Sequence, residues 1–204
     1  IGFVPYDPRV PVNLAWDLGS KAITMAVVAF QLVGQEIRWI NCWSDYDRGI
    51  PAYVHAIREG NKYSFGRVFV PHDVTVHEMG SGKTRLSVLR DLGFRDIVVV
   101  PKLGPADGIS TVQRLFPRMW FNDMTCQPMI SALKVYHEEN GQPKKDDSSH
   151  FADAVRYACV GVREPRARFH TGNMQTEAHT SHDPYGRSGA PGQRYATSRT
   201  ALNG

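Results

Sequence analysis

The chain has 204 residues, 42% of them apolar, and a formal net charge of +4, so it can build one sizeable domain and its net charge alone does not demand a nucleic-acid partner. Cys42, Cys126 and Cys159 are odd in number and lack any CxxC spacing, which excludes a disulfide framework and a cysteine zinc site and predicts reduced thiols in a cytosolic setting. Its longest apolar stretch, Ala22 to Leu32, is too short to span a bilayer and no signal-peptide pattern appears, while a start at Ile1 reads as a piece excised from a longer protein.

After a proline-rich lead-in at Pro5, Pro8 and Pro11, the run from Val12 to Asp17 predicts a central strand and Leu18-Gly19-Ser20 a turn. Ile23 to Phe30 predicts a second strand. Gln35 to Trp43 alternates as a third, with Ile37, Trp39 and Asn41 on one face and Arg38, Ile40 and Cys42 on the other. Three strands joined by tight connections make an antiparallel meander. Between Gly49 and Glu59, Ile50, Tyr53, Val54 and Ile57 recur at helical spacing. A strand from Arg67 to Pro71, a helix from Leu86 to Leu92 and a strand from Ile97 to Pro101 then imply parallel crossover units. Three further helices are expected, at Ile109 to Met119, Cys126 to Glu139 and Ser149 to Val162. The expected fold is α/β, a mixed sheet flanked by helices over residues 1–163. From Glu164 to Gly204 the only large aliphatic or Phe residues are Phe169, Met174 and Leu202, so residues 164–204 read as a low-complexity, flexible tail.

Three short stretches set an aspartate against an apolar scaffold. Asp17 ends the first strand, Asp73 follows Pro71 and His72 at the end of another, and Asp153 lies in the last helix between Ala152 and Ala154. Taken singly, Asp17 reads more readily as a turn residue than as a ligand, and Asp73 reads equally well as a turn or capping residue. Asp153 is different, because an acid among alanines near a core face is costly unless a cation neutralises it. Arg156, three residues on, offers an ion pair; a metal offers the other solution. Carboxylates that converge from three elements repel one another unless a cation sits between them, and oxygen donors suit Mg²⁺ or Mn²⁺. The segment Gly80-Ser81-Gly82-Lys83-Thr84 ends like a phosphate-binding loop, yet such a loop needs Gly where the chain has His77, which argues against nucleotide hydrolysis.

Taken together, Trp16-Asp17-Leu18-Gly19, Pro71-His72-Asp73 with the downstream Gly-Ser-Gly-Lys-Thr-Arg loop, and the Ser149-His150-Phe151-Ala152-Asp153-Ala154-Val155-Arg156-Tyr157 run resemble the C-terminal nuclease domain of the large terminase subunit of tailed bacteriophages, a member of the ribonuclease H-like superfamily. The resemblance spans about Val12 to Val162. It departs from the family at Ser20-Lys21-Ala22-Ile23, where many relatives carry a further acidic residue, so no fourth carboxylate is assigned.

The resemblance implies a metal-dependent endonuclease cutting double-stranded DNA in viral genome packaging, in the host cytoplasm. It implies Asp17, Asp73 and Asp153 as catalytic metal ligands, Asp17 bridging two ions about 3.5 to 4 Å apart that activate water and stabilise the leaving 3′ oxygen. The implied partners are an N-terminal packaging ATPase, the portal and the small terminase subunit, with no membrane. Lys83, Arg85, Lys102, Arg114, Lys144 and Lys145 are candidate DNA-backbone contacts, or else solvated surface charges. Competing readings keep the fold and change the role: a Holliday-junction resolvase, a transposase-like nuclease, or a non-catalytic docking module for the portal.

Overall fold

The strand β1 (Val12–Asp17) is buried at every position, as a strand covered on both faces must be. Its side chains alternate between two cores: Val12, Leu14 and Trp16 enter one and Ala15 the other. The computed structural model describes residues 1–19, 24–75, 82–140 and 142–163. The expected tail at 164–204 lies outside the described residues.

Two long strands continue the meander, β2 (Thr24–Val33) antiparallel to β1 and β3 (Glu36–Tyr46) antiparallel to β2. On the other side of β1, β4 (Phe65–Val70) pairs in parallel, and β5 (Ile97–Val99) pairs in parallel with β4. A three-residue strand, β6 (Met119–Phe121), adds in parallel to β3, giving the order β5-β4-β1-β2-β3-β6. This is a mixed six-stranded sheet of the ribonuclease H-like α/β type.

Each face is covered by helices whose apolar spacing matches the core they meet. On one face lie α1 (Ile50–Arg58), which buries Ile50, Tyr53, Val54 and Ile57, and α2 (Arg85–Asp91), which buries Leu89. The opposite face holds α3 (Pro105–Leu115), α4 (Gln127–Val135) and the long α5 (Asp147–Arg163). Small residues bring α5 close to the sheet: Ala154 and Ala158 are buried, and a Cβ on Gly161 would overlap the Phe69 ring. The lead-in is fastened by fully buried Gln31, whose amide donates to the Asp7 and Val10 carbonyls at 2.7 and 2.6 Å and accepts from the Asp7 amide at 2.9 Å. Among the described residues no helix is long and apolar enough to cross a membrane, and Cys42, Cys126 and Cys159 are free and buried.

Three expectations need correction. The alternation of β3 breaks at a bulge, because Ala29 pairs with Asn41 and Phe30 with Trp39, leaving Ile40 as the extra residue. The phase therefore reverses. Cys42 joins Ile37 and Trp39 in the core under α5, while Ile40 faces the other core and Asn41 turns the same way, donating to the Tyr63 hydroxyl at 3.4 Å. Second, the helix expected to end at Met119 stops at Leu115, passes through a 3-10 turn at Phe116–Arg118, and gives way to β6. Pro117 has no amide to continue the helical ladder, so the chain can extend from there. Third, α4 ends at Val135, and the residues expected to prolong it form a small hairpin, β7 (Glu138–Glu139) with β8 (Gln142–Pro143). Asn140 in its turn has φ of 52°, a left-handed conformation that Asn tolerates better than most residues.

Candidate functional site

Asp17 is the last residue of β1, the strand beside the point where the sheet changes from antiparallel to parallel pairing. Gly19 follows with φ of 60°, and a Cβ there would meet the Thr24 carbonyl oxygen at 2.5 Å, so the turn that leads out of Asp17 needs glycine. Asp73 lies just past the end of the neighbouring parallel strand, in the 3-10 turn His72–Thr75 that buries Val74. Asp153 comes from α5, which packs across β1, β2 and β4. Three elements thus deliver three carboxylates to one end of the sheet.

All three aspartates line one open cleft of about 640 Å³, together with Asp146, Asp147, His150, Lys145 and Tyr157 among others. Five carboxylates face one lysine there, so the cleft is strongly negative. Asp17 and Asp153 are each over 90% buried. Each has its own partner. The Nδ1 of His150 donates to Asp17 Oδ2 at 2.8 Å. On Asp153, the Lys145 ammonium donates to Oδ2 at 2.8 Å and the Arg156 guanidinium to Oδ1 at 2.7 Å. Asp73 stands apart, since its Oδ1 is buried and has no hydrogen-bond partner.

The electrostatics register this crowding. The hydrogen bond to Asp17 holds the His150 imidazole above its usual range against the effect of burial, aided by the charges of Asp17, Asp153 and Asp147. Burial pushes the Tyr157 hydroxyl up to about 12, and the charges of Asp153, Asp17 and Asp73 add to it while Arg156 opposes. Tyr157 therefore stays a neutral phenol at physiological pH.

The start of α5 is itself anchored. Asp146 Oδ1 accepts from the Ser148 amide at 2.9 Å and its hydroxyl at 2.5 Å, an N-terminal cap, and the Tyr46 hydroxyl donates to Asp147 at 2.9 Å from the end of β3. The start of α5, which leads to His150 and Asp153, is thus capped locally and tied to the end of β3.

The donor set suits a hard divalent cation, being all oxygen with one buried lone pair unpartnered and a charge excess that only cations relieve. The carboxylates do not close on a common point, however. Among the described residues no three His, Cys, Asp or Glu side chains stand together as a ready-made cage. Lys145, Arg156 and His150 instead neutralise Asp153 and Asp17 pairwise, so the ion pair with Arg156 that the spacing suggested is formed.

The six candidate DNA contacts are dispersed. Lys145 lines the cleft, and Lys102 lines an adjoining cavity that shares Lys145, Asp153 and Tyr157 with it. Arg85, at the start of α2, donates to the Gly19 carbonyl at 2.9 Å, and Lys83 donates to Asp91 at 2.8 Å beside Thr84, which caps α2. Lys144 is 3.9 Å from Glu139 on the hairpin. Arg114 bonds to Ser110 and Thr111 of its own helix at 2.9 and 3.2 Å, in neither cavity lining. Residues 76–81, which include part of the glycine-rich segment, lie outside the described residues.

His150 is the functional neighbour to which sequence reasoning gave no role. The signal was present, because a residue three positions before Asp153 on a helix shares its side. What spacing does not reveal is that this side faces Asp17.

No protein-family model and no curated protein matches the chain. Solved structures do. The P22 large terminase nuclease domain is 22% identical at a TM-score of 0.62, covering 78% of this chain and 86% of that one. The nuclease domain of the g2p large terminase from bacteriophage SPP1, with bound Mn, is 18% identical at 0.53, covering 72% and 84%. A large terminase from a thermophilic bacteriophage is 16% identical at 0.58; the match covers 79% of this chain and 42% of that one. The chain therefore has the ribonuclease H-like fold seen in large terminase nuclease domains.

Proposed function

We propose that this chain is a Mg²⁺- or Mn²⁺-dependent endodeoxyribonuclease that hydrolyses double-stranded DNA during viral genome packaging. The observation that carries the reading is the delivery of Asp17, Asp73 and Asp153 to one cleft by three different elements, with a buried Asp73 oxygen left unpartnered. The likeness to the SPP1 domain with bound Mn and to the large terminase nuclease of thermophilic phage G20c with bound magnesium supports it.

In this reading the three aspartates hold two cations, which when bound supply Lewis-acid activation of water and stabilise the leaving 3′ oxygen. The chain's own residues set the geometry. His150 fixes the orientation of Asp17 through its Nδ1 hydrogen bond. Lys145, exposed over 68% of its side chain, can leave Asp153 and hold a phosphate oxygen of the DNA. No side chain acts as nucleophile. Asp17, Asp73 and Asp153 sit on a rigid strand end, a tight turn and a capped helix, so little reorganisation is needed when charge develops.

The same reading places the protein in the host cytoplasm, next to a packaging ATPase in the full-length chain, the portal and the small terminase subunit. Support for the ATPase is indirect: this chain covers 41% of a large terminase from a thermophilic bacteriophage that is in complex with ATP-γ-S.

Incubation with supercoiled plasmid tests the reading. Nicking and linearisation are expected with Mn²⁺ or Mg²⁺, and should vanish with chelator and in Asp73→Asn. Cleavage that survives Asp73→Asn, or a wild type that binds DNA without cutting, overturns it.

A further inference from the structure

Beside the acidic cleft lies a second cavity of about 380 Å³, continuous with it through Lys145, Asp153 and Tyr157. Its chemistry is the opposite. Lys102, Lys145, Arg156 and His72 line it against the single carboxylate of Asp153, and the remaining walls are largely apolar or aromatic, with Tyr136, Leu103 and Val160 among them. Two of its cations, Lys145 and Arg156, are already paired with Asp153. Lys102 is not, for among the described residues it has no hydrogen-bond or ion-pair partner.

Positive potential is reinforced from a second direction. The first turn of α3 forms one wall through Pro105 and Gly108, and no side chain caps that helix N-terminus, whose free amide end favours anions; Asp107 in the same turn offsets part of this. Gly108 also matters sterically. A Cβ there would overlap Arg156 Cδ and stand 2.9 Å from its Cγ, so the glycine lets Arg156 lie flat between α3 and α5, its charge on Asp153 and its stem along the cavity.

We propose that this cavity is a binding site for one unpaired nucleotide, a neighbour of the scissile phosphate. Its phosphate lies between Lys102 and Lys145 and its base against Tyr136 and Tyr157. A volume of about 380 Å³ suits a single nucleotide and is too small for a base pair in a duplex. Aromatic walls accept any base by stacking, so the site would not select among bases. Sharing Lys145 and Asp153 with the acidic cleft places the two sites at adjacent positions along one strand. The substrate class rests on the nuclease reading above; the site itself rests on the cavity, its charge and its aromatic lining.

Fluorescence anisotropy separates the two. A labelled duplex with a short single-stranded overhang is titrated against a blunt duplex of equal length, in chelator so that nothing is cut. The wild type should bind the overhang about tenfold more tightly, the size of one base–aromatic stack. Lys102→Glu, on an exposed residue outside the acidic cleft, and Tyr136→Leu should each weaken binding of the overhang more than binding of the blunt duplex, and so erase the preference. Equal binding of both DNAs by the wild type, or an intact preference in a folded Lys102→Glu protein, overturns the proposal. Plasmid nicking by the wild type is scored in parallel: loss of nicking with the preference intact sinks the nuclease reading and not the site, and nicking with no preference does the reverse.

Discussion

The imidazole of His150 and the carboxylate of Asp17, 133 residues apart, meet at 2.8 Å where the first turn of α5 crosses the end of β1. Asp17 is 9% exposed, so this contact stands in for the water it has lost. His150→Ala leaves the carboxylate buried without its partner and should lower stability by about 1 to 3 kcal/mol in chelator. A divalent cation can take over the neutralising role. Adding Mn²⁺ should therefore raise the unfolding temperature more in His150→Ala than in the wild type, measured by differential scanning calorimetry. Equal shifts would separate Asp17 from metal binding.

Lys145 competes with any cation for Asp153. Its side chain is 68% exposed against 9% for Asp153, so the pair is screened from the lysine side and contributes about 1 kcal/mol, roughly a fivefold effect. Lys145→Ala should thus tighten Mn²⁺ binding up to about fivefold by isothermal titration calorimetry. The same substitution should weaken DNA binding and flatten its salt dependence by about one phosphate contact. A variant that changes neither quantity would leave Lys145 as surface charge only.

Asp73 and Asp153 should part company in stability, though both are needed for cleavage in the proposed reaction. Asp153 satisfies Arg156, whose side chain is 14% exposed, so Asp153→Asn weakens a charge-assisted bond and should cost about 1 to 3 kcal/mol. Asp73 Oδ1 has no partner to lose. Asp73→Asn should be neutral within about 0.5 kcal/mol or slightly stabilising, since it removes one of several crowded negative charges. Urea denaturation of the two variants distinguishes this ordering from equal costs.

The elements that carry Asp17 and Asp153 were legible because each is long or strongly patterned. β1 is apolar almost throughout, and Phe151, Ala154, Val155 and Ala158 recur at helical spacing around Asp153. The bulge at Ile40 was not legible, since a one-residue insertion leaves the residues on both sides alternating. β6 escaped because three residues are too few for a period of their own and the preceding helix lends them its pattern. The β7–β8 hairpin buries little, so no hydrophobic alternation marks it, although Asn140-Gly141 is a turn signal that could have found it. A contact across the fold, such as that of His150 with Asp17, depends on how α5 lies on the sheet. No local spacing encodes that placement.

That placement is set by Gly161, and it can be tested apart from the chemistry. A Cβ at this position would overlap Cδ1 of Phe69 and stand 2.7 Å from its Cε1, and Phe69 is 1% exposed in the core of β4. Phe69 packs against Phe30 at 5.9 Å between centroids and cannot swing aside without opening that core. Gly161→Ala gains helix propensity of about 1 kcal/mol, but overpacking costs about 1 to 3 kcal/mol, so net destabilisation is expected, and Gly161→Val should be worse. The strain is relieved most easily by lifting the C-terminal half of α5 off the sheet. Because Asp153 lies about two turns earlier on the same helix, a lift that propagates will shift its carboxylate relative to Asp17 and weaken Mn²⁺ binding, although position 161 lies outside the cleft. Loss of stability with unchanged Mn²⁺ affinity would show that α5 bends between Asp153 and Gly161 and does not move as one rod.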